Sequence, residues 1–261
     1  MADTLPGNWR NRMWNSVSSG LRRTINIRLI ITVVGILLVM LLSSAETLLN
    51  LFPITFRIPF GYHVEFVKKA LCSEATLAFF PILSVLPFSA SYVEDLKSKF
   101  VLLYLIRGRY NTYIRSRIIA CFLAGCGVVL CGVTLFYGIS FLIFVPFEHP
   151  LETKVFDTES LLPLCLLASI SGGFWALLGL FFSTFMESKY IAYTSPFVTY
   201  YLLVILCERY FTDAYMLYPP NWINPDVWPY GFWGAVIFLL ELTLAFGILF
   251  VIRAGRRLRE L

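Results

Sequence analysis

Six long apolar stretches constrain this chain more than any other feature. They cover residues 29–49, 77–92, 118–145, 161–185, 191–206 and 231–252. A transmembrane helix needs about 20 mostly apolar residues to cross about 30 Å of hydrocarbon. Hydrophobic residues make up 58% of the chain and charged residues only 14%, which excludes a soluble domain. We therefore predict an all-α integral membrane protein whose six transmembrane helices form one domain over residues 29–252.

The basic residues predict the orientation of these helices. Sixteen of the 21 Lys and Arg residues flank one side, in the N-terminal segment, the loops after the second and fourth stretches, and a basic tail at residues 253–261. Basic loops stay on the cytoplasmic side of a membrane. Both termini are therefore predicted to be cytoplasmic, in agreement with an even number of spans. We expect a multi-pass protein of the plasma membrane, as in a bacterial inner membrane.

Three further segments outside the stretches have a distinct composition. Residues 1–28 are predicted as a cytoplasmic interfacial segment, in which residues 13–28 form either an amphipathic helix or a plain basic anchor. Residues 52–73 are predicted as an outer loop that mixes aromatic and basic residues. Residues 207–230 are an outer loop rich in aromatic residues and proline, which either dips into the membrane or forms an aromatic belt at its surface.

The cytoplasmic loop at residues 93–117 carries most of the information about function. Acidic residues and Lys open it, an apolar run follows at residues 100–106, and the loop becomes basic after a break at Gly108. The run is too short to cross a membrane, so we expect a short interfacial helix. An apolar helix in the cytoplasm is typical of a docking surface for a soluble partner, and a loop lying flat on the membrane is the alternative.

This layout resembles the permease subunit of type-2 ABC exporters. That family has six spans with cytoplasmic termini. Between spans two and three it has a loop of the form E-x-x-[KR]-G, an apolar helix, a short break and a basic residue that starts span three. Glu94, Lys97, the run at residues 100–106 and Arg117 take those places here. In place of the family's usual Gly this chain has Ser98.

The resemblance implies that the loop is a coupling helix seated in a groove of a separate P-loop ATPase subunit. ATP and Mg bind that partner in the family, so we expect no cofactor, no metal and no catalytic residue in this chain itself. A second permease copy or a homologue and the lipid bilayer are the other expected partners, and no nucleic acid is expected. The residues expected in the coupling loop are Glu94, Asp95, Lys97, Phe100, Leu103, Arg107, Arg109 and Arg117.

The predicted function is therefore that of the membrane subunit of an ATP-driven exporter. Spans rich in aromatic residues and poor in charge favour an amphipathic or lipophilic cargo, such as a peptide, a lipid-linked compound or a drug. An enzyme is disfavoured because the chain has no H-E-x-x-H, G-x-S-x-G or P-loop motif. A non-transporting assembly or immunity factor and a secondary carrier stay open as alternatives.

Two carboxylates fall inside the apolar stretches. Glu46 lies near the outer end of the first stretch and Glu241 near the middle of the sixth. Carboxylates within a membrane are costly and usually face protein or a cavity. Both are candidates for a transport pathway, and a hydrogen-bonded structural role is the alternative.

Two of the stretches also carry small residues at helical spacing. Such residues let membrane helices approach closely. They predict that the third and fourth spans each pack closely against a neighbouring helix, and two prolines in the second stretch predict a kink there. The residues are Ala120, Cys121, Ala124 and Gly125 in the third span, Ala168, Gly172 and Ala176 in the fourth, and Pro81 and Pro87 in the second.

Overall fold

The computed structural model describes residues 17–18, 27–51, 58–99, 101, 110–149, 161–186 and 188–259. Regular structure in these residues is almost entirely helical. The helices are α1 (Ile27–Ser43), α2 (Ala45–Leu51), α3 (Tyr62–Leu71), α4 (Glu74–Val85), α5 (Ser91–Lys97), α6 (Tyr110–Phe144), α7 (Leu161–Phe182), α8 (Lys189–Arg209) and α9 (Gly231–Arg259). Two short strands, β1 (Ile58–Pro59) and β2 (Glu148–His149), pair in parallel.

Four of these helices, α6 to α9, are long and apolar enough to cross a membrane. They indicate a multi-pass membrane protein of the all-α class. The first predicted span is helical throughout, but it is divided at Ser44 into α1 (17 residues) and α2 (7 residues). The helix in the second predicted span is shorter than expected, because α4 has only 12 residues, which at about 1.5 Å per residue is about 18 Å, less than the roughly 30 Å of a hydrocarbon core.

Local sequence marks the breaks within the first two predicted spans. Between α1 and α2 the hydroxyl of Ser44 donates to the carbonyl oxygens of Met40 (2.8 Å) and Leu41 (3.1 Å), while the helical backbone bonds from Ser44 to Met40 and from Leu48 to Ser44 are kept. In the second predicted span Pro81 lies inside α4, whereas Pro87 lies in the turn at residues 86–90 that separates α4 from α5. The predicted kink is therefore a full interruption of the helix.

Helix α7 forms the centre of the bundle. Within its most apolar window 72% of the residues are buried, compared with 22% in α8 and 28% in α9. It contacts α6, α9, α8 and α4. A helix that is apolar on all sides belongs in the interior, whereas α8 and α9 leave wide apolar faces uncovered.

The small residues predicted to promote close packing meet between α6 and α7. A Cβ atom added to Gly125 would lie 2.6 Å from the carbonyl oxygen of Gly172, and one added to Gly172 would lie 2.5 Å from a methyl group of Val129. No larger residue fits at either position without moving a helix. The same pattern repeats at Gly179, where a Cβ would lie 2.7 Å from the backbone oxygen of Ala192 on α8.

The bundle has two chemically different ends. Cross-helix contacts place the start of α1, all of α5, the start of α6 and the ends of α7 and α9 together. We call this the basic end, and its described cations are Arg28, Lys97, Lys99, Arg115, Arg117, Lys189, Arg253, Arg256 and Arg257. The opposite end, here called the far end, holds α2, α3 and the segment between α8 and α9.

Two helices extend beyond the predicted spans at the basic end. Helix α6 begins at Tyr110, about two turns before the predicted start of the third span. Helix α9 continues to Arg259, so most of the residues predicted as a basic tail are its last turns. Of the predicted surface helix at residues 13–28, only residues 17, 18, 27 and 28 are described, and the other residues of that prediction lie outside the described part of the chain.

Candidate functional site

A buried ion pair joins α5 to α6 at the basic end. Arg117 on α6 donates to the Oδ2 atom of Asp95 on α5, and the Tyr113 hydroxyl donates to the same oxygen over 2.9 Å. The Arg117 and Asp95 side chains are only 7% and 5% exposed. We call Asp95, Tyr113 and Arg117 the basic-end junction. A buried charge is tolerated only when it is paired and hydrogen-bonded, and each of the two charges here supplies the partner of the other.

Aromatic rings complete the surroundings of the guanidinium. Its central carbon lies 5.4 Å from the Phe88 ring centroid and 5.2 Å from that of Tyr113. The Nη1 atom has no hydrogen-bond partner among the described residues, so the ring faces take the place of a polar contact. The junction is thus a packed, dehydrated clamp that offers no nucleophile and no open metal position.

Neighbouring contacts tie the other helices to this clamp. Arg28 at the start of α1 donates to Glu94 on α5 over 2.9 Å. The Tyr92 ring on α5 lies 5.5 Å from that of Phe250 on α9. Arg257 donates to the carbonyl oxygen of Thr184, just after α7, over 2.6 Å. A displacement of α5 would therefore also displace α1, α6 and α9.

The predicted coupling residues divide into two groups. Glu94, Asp95 and Lys97 lie on α5 and Arg117 lies on α6, so the structure brings Asp95 and Arg117 into direct contact and leaves Lys97 exposed. Lys99 has a positive φ of 56°, a left-handed residue that turns the chain away after α5. The other four, Phe100, Leu103, Arg107 and Arg109, lie outside the described residues.

The two carboxylates predicted as a transport pathway are not brought together. Glu46 lies on α2 at the far end, and Glu241 lies at the middle of α9. Both residues are exposed in the single chain. Glu241 lies among large apolar side chains of α9 that are exposed as well, including Ile237 (55%) and Leu244 (65%).

The far end contains a second buried contact between a basic and an acidic side chain, which the sequence analysis did not identify. Nδ1 of His63 on α3 lies 2.7 Å from Oε1 of Glu148 on β2, and the two side chains are 9% and 2% exposed. The backbone N–H groups of His63 and Gly61 also donate to this carboxylate, over 2.9 and 3.1 Å. Gly61 has a φ of 87°, a conformation that glycine adopts without strain. We call His63, Glu148 and the Gly61 backbone the far-end junction.

This environment changes the acidity of Glu148. Burial acts to raise the pKa of the carboxyl group, but the hydrogen bonds from the His63 backbone, the His63 ring and the Gly61 backbone together lower that pKa from its ordinary value of 4.5. The ionised carboxylate thus stabilises the docking of α3. Helix α3 itself corrects the prediction of a loop at residues 52–73, since its buried residues Phe66, Val67 and Leu71 pack into the bundle.

The segment at residues 207–230, predicted as an outer loop, packs aromatic side chains against α7, and we call it the aromatic cap. The Trp222 ring lies 5.3 Å from Trp175 and 5.4 Å from Phe174, and its Nε1 donates to the carbonyl oxygen of Met216 over 2.8 Å. The Trp228 Nε1 donates to the backbone oxygen of Asn221 over 2.9 Å. These contacts shield part of the irregular backbone of the cap with protein.

Within the described residues no group of three or more His, Cys, Asp or Glu side chains could hold a metal ion. The six cysteines are all free in this structure. No family model, no curated protein and no solved structure matches the chain.

Proposed function

We propose that this chain is the membrane subunit of an ATP-driven exporter of the type-2 ABC kind, powered by a separate P-loop ATPase. In this proposal the basic end faces the cytoplasm and the loop between α5 and α6 docks on the ATPase. The observation that carries the proposal is the basic-end junction, because its buried Asp95–Arg117 pair closes the base of that loop.

A docking loop is useful for coupling only if it does not hinge at its base. Breaking a buried ion pair by removing one partner costs about 3–5 kcal/mol. The Asp95–Arg117 pair therefore holds the first and last turns of the loop together while a partner pushes on it. The Arg28–Glu94 bond extends the connection to α1. A force on the loop would reach three helices at once.

The contacts along α1 support six crossing segments. Helix α4, the turn at residues 86–90 and α5 run alongside α1 in the opposite direction. The Thr76 hydroxyl donates to the Ser43 hydroxyl over 3.3 Å at the far end, and the Arg28 guanidinium donates to the Glu94 carboxylate at the basic end. Residues 74–97 thus extend from one end of the bundle to the other, although two helices share the distance. With six such segments both termini would lie at the basic end, where positive charge favours the cytoplasm.

The exposed faces of α8 and α9 support a second subunit in the same proposal. Exposure of a carboxylate to hydrocarbon is energetically costly. Glu241 lies in the exposed apolar face of α9, so we expect a protein partner to cover it. Helix α8 carries an apolar groove of about 570 Å³ along Phe197, Tyr201 and Ile205. A second copy of the chain, or a homologous subunit, would cover these faces. The interface would then form an apolar path for an amphipathic or lipophilic cargo.

Co-purification tests the proposal directly. The tagged protein is extracted in mild detergent, and the proteins that accompany it are identified by mass spectrometry while ATP hydrolysis is assayed. We expect a P-loop ATPase in stoichiometric amount. A preparation that lacks an ATPase even after crosslinking in cells would contradict the proposal and favour an assembly or immunity factor. Uptake driven by an ion gradient without ATP would favour a secondary carrier.

Charge reversal tests the assigned loop. The variant that combines Glu94→Gln, Arg107→Glu and Arg109→Glu is expected to lose most transport-coupled ATP hydrolysis while it still inserts in the membrane. Lys189→Glu is the matched control, because Lys189 is an exposed cation of the basic end that lies on α8 and does not belong to the assigned loop. Unchanged transport and complex formation in the triple variant would show that this loop is not the coupling element.

A further inference from the structure

A small cavity opens in the aromatic cap at the end of α8. It has a volume of about 220 Å³. Its lining combines one carboxylate, three aromatic rings and small polar groups, namely Cys207, Glu208, Phe211, Thr212, Ala214, Tyr215, Tyr218 and Asn221. We call this cavity the cap recess. It is smaller than the 300–1,000 Å³ typical of pockets for drug-sized ligands, so it suits a single functional group.

The polar groups of the recess are oriented by bonds within the cap. The Tyr218 hydroxyl donates to the Oε1 atom of the exposed Glu208 over 3.3 Å, which brings the carboxylate beside one wall of the recess. The side-chain amide nitrogen of Asn221 donates to the Tyr215 carbonyl oxygen over 3.1 Å, and this bond fixes the orientation of the Asn221 side chain. Glu208 accepts the Tyr218 bond at one oxygen only, and its second oxygen is available to a ligand.

The electrostatic surroundings of the recess favour positive charge. Glu208 lines the recess and Glu74 is near Tyr218, and burial together with these two carboxylates raises the pKa of Tyr218. Asp213 lies in the same segment. Arg209 follows Glu208 in sequence but does not line the recess. The C-terminal end of α8 adds the negative pole of a helix dipole.

We propose that the cap recess binds an organic ammonium group, with Glu208 as the counter-ion and the rings of Phe211, Tyr215 and Tyr218 as the wall. Aromatic faces attract ammonium groups, and aromatic cages are the usual receptors for quaternary ammonium. The Glu208 carboxylate beside the rings favours a cationic ligand over a neutral sugar or alcohol. The assignment stands whether or not the chain couples to an ATPase.

The first experiment measures binding of choline to the purified full chain by isothermal titration calorimetry. The control ligand is 3,3-dimethylbutan-1-ol, which has the shape of choline without its charge. We expect choline to bind at least tenfold more tightly than the neutral alcohol. Equal affinities, or no detectable binding of choline, would overturn the proposal.

Two variants locate the binding in the recess. Glu208→Gln is expected to weaken choline binding at least tenfold, whereas Asp226→Asn, an exposed acidic residue of the same cap that does not line the recess, should leave it unchanged. Thermal unfolding confirms that both variants are folded. A folded Glu208→Gln protein with unchanged affinity, or an equal loss in Asp226→Asn, would contradict the assignment.

The ammonium group has two possible sources, a free amine and a lipid headgroup, because the recess lies at the end of a candidate membrane span. The chain is placed in nanodiscs of phosphatidylglycerol alone or of phosphatidylcholine, and choline is titrated into each. A lipid headgroup is identified if choline binds more weakly in phosphatidylcholine than in phosphatidylglycerol and if this difference requires Glu208. Equal binding in both membranes identifies a free amine. Absence of binding in both membranes would overturn the proposal.

Discussion

The basic-end junction and the far-end junction are each held by a buried carboxylate, but different groups bind that carboxylate. Each places a carboxylate against a basic side chain and so joins segments far apart in sequence, 22 residues at the basic end and 85 at the far end. The basic-end junction uses a guanidinium, which stays charged at every physiological pH. The far-end junction uses an imidazole and two backbone N–H groups. The first is therefore a permanent clamp, and the second depends on the ionisation of Glu148.

The largest expected effect comes from removing the cation of the permanent clamp. Arg117→Ala leaves Asp95 buried without its cation, although still bonded to Tyr113, and should lower the free energy of unfolding by about 3–5 kcal/mol. Denaturant unfolding in detergent measures the change. The apolar double variant Asp95→Leu, Arg117→Met should recover most of it. A loss below about 1 kcal/mol in Arg117→Ala would show that the clamp is not a major source of stability.

At the far end, Glu148→Ala should be the next most harmful change. It removes the acceptor of the Gly61 and His63 backbone donors and of the His63 ring, at a cost of about 2–3 kcal/mol. Glu148→Gln keeps one amide oxygen and should cost less. Hydrogen exchange of the backbone amides shows which helix is destabilised, since in Glu148→Ala the helix α3 should open before α6. Equal protection of α3 in the wild type and in Glu148→Ala would contradict this role.

Acid should weaken the far-end junction. Because the pKa of Glu148 is lowered in the folded protein, its contribution is complete above the ordinary carboxyl value of 4.5 and is lost as the pH falls through the lowered value. The difference in melting temperature between the wild type and Glu148→Gln should therefore be largest at neutral pH and shrink below pH 4.5. A difference that stays constant over this range would argue against an ionised Glu148.

The smallest effect is expected for the partly exposed pair at the basic end. Arg28 and Glu94 are 44% and 39% exposed, so Arg28→Ala or Glu94→Gln should change stability by about 0–1 kcal/mol. Lys69→Ala, which removes a similar pair with Glu65 at the far end, provides the matched control. The melting temperature in detergent measures both. A large loss in Glu94→Gln alone would mean that Glu94 has a structural role that its exposure does not reveal.

The class of the protein could be predicted from sequence because it depends on composition. Apolar stretches indicated a helical membrane protein, and the small residues indicated that two spans pack closely against neighbours. Both properties are local. That these two spans, α6 and α7, pack against each other, with Gly125 against Gly172, was not predicted. The interruption between α4 and α5 was also harder to predict in detail, since it depends on a turn around Pro87.

The junctions could be predicted only in part. Asp95 and Arg117 were both selected, but as separate members of a loop. Their pairing follows from the early start of α6 at Tyr110, which places Arg117 on a helix beside α5. The signal for α3 was present, because His63, Phe66, Val67 and Ala70 recur at helical spacing in ten residues. Its partner Glu148 is distant in sequence, and no local pattern connects the two.

The central place of α7 has a consequence for synthesis. The chain emerges from its N-terminus, so α1, α4 and α6 are made before the helix that they surround. Until residue 182 has been translated, the Gly125 face of α6 has no α7 to receive it. The early helices must therefore wait in the bilayer as an unfinished bundle. This interval is when the nascent chain is most open to quality-control proteases, and a chain terminated before α7 should be degraded rather than assembled.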